Sequence, residues 1–203
     1  MQDIHVTFVP GAAGLGAFWE PVMARLPQSW QKRTLDLPGL GAAPPQLDVN
    51  GYDDLVDLVA RGISLPSVVV GQSMGGYISL QLALRYPELV THLVLVVAAA
   101  GVDMARQGAK DWRPSNRASH DPGPTWPHAP VPDLTDQLHH ITVPVLLVWA
   151  TRDPISPLGV AHELAAHLPN ARLMTFDTDD HWVARQFAEP TSQAIVDFVN
   201  ASR

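Results

Sequence analysis

Cysteine is absent from the 203 residues, which rules out disulfides, thiolate nucleophiles and Cys-bearing metal centres. Positive charge is scarce. Thirteen Lys and Arg face 20 Asp and Glu, a formal net charge of −7, and no basic run offsets it locally. Such a surface repels nucleic acid and anionic membranes, so neither is expected as a partner. Long apolar runs are missing too. The longest, 93–102, is about half of the roughly 20 residues a membrane-spanning helix needs. The first residues, Met1-Gln2-Asp3-Ile4, show no basic stretch followed by an apolar one, so no signal peptide is expected. A soluble, cytoplasmic protein of one domain over 1–203 is the reading, with 46% hydrophobic and 16% charged residues. Oligomeric state is left open.

What is present is alternation. Apolar, β-branched runs at 4–9, 32–36, 67–71, 92–98, 143–149 and 172–177 are separated by helical patterns at 15–26, 53–62, 73–86, 157–167 and 191–201. That order is the mark of a parallel sheet covered on both faces, a three-layer α/β sandwich of about six strands. One segment breaks the rhythm. Between 102 and 133 there are six prolines, Trp112 and Trp126, and no sustained apolar period. A connection this long in a compact fold is usually functional or disordered.

Gly71-Gln72-Ser73-Met74-Gly75 matches G-x-S-x-G, with a buried-strand run directly before it and an uninterrupted helical pattern directly after. A serine on so sharp a strand-to-helix turn takes strained backbone angles, and small residues two positions either side let strand and helix approach. The turn lifts the hydroxyl above the sheet edge. It also puts the Met74 N–H at a helix N-terminus, where it can hold a developing oxyanion. The bland alternative is an ordinary strand–helix turn with a serine N-cap.

With its following Gly76, this motif resembles the nucleophile elbow of α/β-hydrolases, and the resemblance runs through nearly the whole chain. Pro10-Gly11-Ala12 is similar to that family's oxyanion turn, and Asp36-Leu37-Pro38-Gly39-Leu40-Gly41 to the D-x-P-G-x-G turn of its esterase-like branch. Trp149-Ala150-Thr151-Arg152-Asp153 resembles the loop bearing the acid, and His181 follows the last strand as the family's histidine does. The order Ser…Asp…His is also the family's. Two positions depart from the pattern: Pro10 replaces a histidine and Asp180 a glycine. Proline has no N–H, so the second oxyanion donor implied by the resemblance is Ala12. The resemblance further implies the strand order 2-1-3-4-5-6, without the two leading antiparallel strands of larger members.

Nine histidines compete for the base. In an open α/β sheet, ligands bind beyond the carboxyl ends of the strands. His5, His92, His139 and His140 lie within or before strands, and His162 and His167 lie on a helix. His120 and His128 fall in the proline-rich segment, where nothing fixes them. His181 alone follows a strand's carboxyl end outside that segment. Asp153 passes the same test, with Asp103 after the fourth strand as the reserve acid and a turn aspartate as the bland reading.

In the resembled family the connection at 102–133 usually carries an inserted cap. Here only a short lid is expected, with Trp112 and Trp126 either walling the site or pinning a surface loop. The expected chemistry is hydrolysis of small carboxylic esters or thioesters, with Ser73 as nucleophile, His181 as base, Asp153 orienting it, and Ala12 and Met74 donating to the oxyanion. It needs no metal or organic cofactor. Hydrolysis of C–C bonds, perhydrolysis and amide cleavage use the same side chains, and a ligand-binding protein without turnover is the alternative from another class.

Overall fold

The computed structural model describes residues 3–41, 43–99, 101–111, 126 and 129–202. Six strands, β1 (His5–Val9), β2 (Gln31–Thr34), β3 (Ser67–Gln72), β4 (Val90–Val96), β5 (Val145–Ala150) and β6 (Ala171–Phe176), form one sheet in the order β2-β1-β3-β4-β5-β6. Every neighbouring pair is parallel. Parallel neighbours need crossover connections. Four of them carry an α-helix, α1 (Glu20–Met23), α2 (Tyr52–Gly62), α3 (Met74–Arg85) and α4 (Leu158–His167), while the described part of the β4–β5 connection has a 3-10 turn at Thr135–His140, and α5 (Val183–Gln186) and α6 (Ala188–Ala201) follow β6. β3 and β5 are buried along their whole length, as their Val- and Leu-rich runs require of strands covered on both faces. β6, at the sheet edge, has no fully buried residue.

One continuous core, from Val6 to Val199, contains Phe8, Trp19, Tyr77 and Trp149 with almost no exposed surface. The Trp149 indole N–H, deep in that core, donates to the Ser156 carbonyl at 2.9 Å. A buried ring thereby anchors the loop that leaves β5.

Two helices differ from the sequence reading, each for a proline. The pattern at 15–26 predicts one helix, yet residues Gly16–Trp19 form a 3-10 turn and only Glu20–Met23 is α-helical. Pro21 cannot donate to the Ala17 carbonyl, so the preceding turn closes on three-residue bonds instead. The last helix starts at Ala188 rather than 191, because Pro190 lies in its first turn, where no N–H partner is lost. The four residues of α5 are too few for their period to show.

All six strands end at one rim, where the loops after β1, β3, β5 and β6 meet.

Candidate active site

Ser73 sits between β3 and α3 with φ 54° and ψ −119°, a left-handed backbone that costs a residue with a side chain about 1–3 kcal/mol. The neighbours hold it there. Its N–H donates to Val96 O at 3.0 Å, and its carbonyl accepts from Gly76 N and Ala99 N at 2.9 and 3.1 Å. A methyl group on Gly71 would overlap Ser79 Oγ and the Gly75 carbonyl. One on Gly75 would strike the carbonyls of Val9 and Pro10. The glycines of the motif therefore bring α3 against both its own strand and the end of β1.

Three side chains meet at this turn. His181 Nε2 lies 2.9 Å from Ser73 Oγ, and His181 Nδ1 lies 2.6 Å from Asp153 Oδ2. They come from positions 108 and 28 residues apart, and from the three loops that sequence reasoning singled out. The Asp153 side chain is fully buried, and that of His181 is 13% exposed. A buried carboxylate needs donors, and Asp153 has them on its other oxygen, Oδ1, from Ile155 N at 2.8 Å and Ser156 N at 3.1 Å. Asp153 is thus acceptor on both sides. Its histidine carries the proton on Nδ1, which leaves the Nε2 lone pair facing the serine hydroxyl. This is the geometry by which an imidazole can take the hydroxyl proton as the oxygen attacks.

Two side chains steady the arrangement and were missed by sequence reasoning. Ser156 Oγ donates to Ala98 O at 2.7 Å and ties the acid's loop to the end of β4. Gln72 Nε2 reaches His181 O at 3.4 Å, linking the serine's strand to the histidine's loop. Such partners lie far off in sequence, so no local pattern marks them.

Asp103, the reserve acid, is engaged elsewhere: its Oδ1 accepts the Arg106 N–H. On the loop of His181, Asp177 pairs with Arg152, and Asp180 accepts the Trp182 N–H within its own turn. The alternative histidines that are described also lie apart. His5 and His92 are in β1 and β4, His139 and His140 in a 3-10 turn before β5, and His162 and His167 in α4.

A cleft of about 380 Å³ opens beside Ser73 and His181. Ala12 of the expected oxyanion turn lines it, and Met74 begins α3, so its N–H lacks a carbonyl one helical turn earlier. The rest of the wall is largely apolar, with Leu15, Phe18, Ile155 and Trp182. Phe18 meets Trp182 edge-on at 6.1 Å. Asp36 Oδ1 accepts Gly16 N at 2.7 Å, which fixes the turn carrying Leu15 and Phe18. Trp126 does not line this cleft. It stands edge-on to Tyr52 at 5.5 Å, and Tyr52 in turn packs on Tyr77. Trp112 lies outside the described residues.

The chain matches the model of the alpha/beta hydrolase family over residues 8–194. It is 28% identical to the pimeloyl-[acyl-carrier protein] methyl ester esterase of Nitrosomonas europaea, covering 93% of this chain and 96% of that protein. It is 27% identical to the 2-hydroxy-6-oxononadienedioate/2-hydroxy-6-oxononatrienedioate hydrolase of Paraburkholderia phymatum, covering 94% and 83%. In fold it resembles the esterase EaEST from Exiguobacterium antarcticum, with a TM-score of 0.78 at 18% identity over 98% of this chain and 92% of the other. The six-stranded parallel sheet, the strained serine turn and the match across 8–194 together make this chain a member of the α/β-hydrolase family.

Proposed function

We propose that this protein is a serine hydrolase that cleaves small carboxylic esters or thioesters through an acyl-enzyme. The observation that carries the reading is the unbroken line from the Ser73 hydroxyl through His181 to buried Asp153, at 2.9 and 2.6 Å. Ser73 Oγ attacks the carbonyl carbon as its proton passes to His181 Nε2. The carbonyl oxygen becomes an oxyanion held by the N–H groups of Ala12 and Met74. The imidazolium, stabilised by Asp153, returns the proton to the departing alkoxide or thiolate. Water then repeats the cycle on the acyl-enzyme, with His181 taking its proton, and releases a carboxylic acid. Within this reading the segment 102–133 serves as a reduced cap, with Trp126 packed on Tyr52.

Methyl and nitrophenyl esters of graded acyl length, given to purified protein, test the reading. Turnover that disappears in Ser73→Ala supports it, and equal turnover by that variant overturns it. The dienedioate hydrolase among the relatives favours a second reaction, C–C hydrolysis of a vinylogous diketone. Turnover of such a diketone with every ester inert would support that second reaction. A protein inert toward both, yet binding esters, would be the ligand-binding alternative.

A further inference from the structure

Arg185 lies on the wall of the apolar cleft beside Ser73. It follows the histidine loop closely, in α5, where its own N–H donates to Trp182 O at 2.8 Å. Its side chain is exposed and forms no hydrogen bond or ion pair with any described residue. Arg85 pairs with Asp53 and Asp57, Arg152 with Asp177, and Arg61 with Asp48. Arg33, Arg106 and Arg172 also make no ion pair with a described residue, but of these four arginines Arg185 is the one that lines the cleft. Among the described residues, the rest of the cleft lining, including Leu15, Phe18, Ile155 and Trp182, brings no carboxylate to this guanidinium.

An apolar wall that carries one unpaired cation suits a particular kind of ligand. A hydrocarbon chain lies along Phe18 and Trp182, and an anionic group at its end meets the guanidinium. A carboxylate is well matched, because the planar fork of arginine binds both its oxygens. A carboxylate left unpaired against the same wall would be costly, so the cation also selects where the charged end goes.

We infer that Arg185 is a specificity-determining residue that binds a carboxylate at the far end of the substrate, so that half-esters of dicarboxylic acids are preferred over neutral esters of equal length. The inference deepens the hydrolytic reading and rests on it for the meaning of the cleft, but the binding preference can be measured without turnover.

Calorimetry on Ser73→Ala protein provides that measurement, with monomethyl adipate compared against methyl hexanoate, and monomethyl succinate and suberate reporting on reach. Because the guanidinium is solvent-exposed, the expected preference for the adipate half-ester is modest, about ten-fold, and it should shrink as salt is raised. Adding Arg185→Gln should bring the two ligands close to equality, and Arg185→Lys should keep part of the difference. Neutral ester binding as tightly as the half-ester, no measurable half-ester binding, or a preference untouched by Arg185→Gln would each overturn the inference. Whether the wild-type protein turns over either ester is a separate result and bears on the hydrolytic reading alone.

Discussion

Asp153→Asn changes one atom yet should nearly abolish turnover. The wild-type carboxylate accepts on both oxygens: Oδ1 from the N–H groups of Ile155 and Ser156, and Oδ2 from His181 Nδ1. An amide has only one acceptor oxygen. If that oxygen faces the two backbone donors, the amide NH₂ points at His181 Nδ1 and forces the proton onto Nε2. The imidazole then donates to Ser73 and cannot take its proton. The flipped amide keeps the useful tautomer but sets its NH₂ against two buried N–H groups. Each such mismatch costs about 1–2 kcal/mol, so the productive form is disfavoured by about 3 kcal/mol, or roughly a hundred-fold. Loss of the carboxylate's charge beside the imidazolium adds about another ten- to hundred-fold. The expected fall in kcat is thus on the order of 10³–10⁴, with the fold retained because no volume changes. Ester hydrolysis followed alongside far-ultraviolet circular dichroism gives both quantities. A folded Asp153→Asn protein within about ten-fold of wild type would refute the reasoning, and an equivalent loss in Asp103→Asn instead would move the acid to the fourth strand.

Three further outcomes follow from particular contacts. Gly75→Ala should destabilise the protein by about 3 kcal/mol in urea and cost activity as well, since its methyl would press the Val9 and Pro10 carbonyls that lead into the oxyanion turn. Ser73→Gly should be more stable than Ser73→Ala by about 1 kcal/mol, because only glycine adopts φ 54° without strain, and equal stability would mean the turn stores none. Burial pushes the Tyr77 phenol above its ordinary value of 10.0, although Gln81 donates to its oxygen. The stability this supplies is complete below the unfolded-state value and is lost as pH rises through the raised one, so Tyr77→Phe should flatten the fall in stability above about pH 10.

The parts of the site carried by local pattern were readable from the residues. Ser73 was, because strand, glycines and helix stand in one short run, and His181 was, because it alone follows a strand's carboxyl end outside the proline-rich segment. Asp153 was read from the same position relative to β5. What escaped depends on through-space neighbours. Ser156 matters because Ala98, 58 residues earlier, ends beside it, and Gln72 because the histidine loop returns over β3. Leu15 and Phe18 fall in the stretch whose pattern predicts one helix, but Pro21 confines its start to a 3-10 turn at Gly16–Trp19, where Phe18 and the capping Leu15 line the cleft. Arg185, the one arginine among the described cleft residues, lay in a helix of four residues, too short for any period to reveal which way it faces.

Intact-mass analysis after exposure to a fluorophosphonate, with peptide mapping of the adduct, addresses the relay itself. A serine activated by its neighbours should take up one equivalent, on Ser73 and no other residue, and the labelling rate should fall sharply in His181→Gln. An unlabelled protein, an adduct on a different residue, or labelling of Ser73 that ignores the loss of His181 would contradict the account.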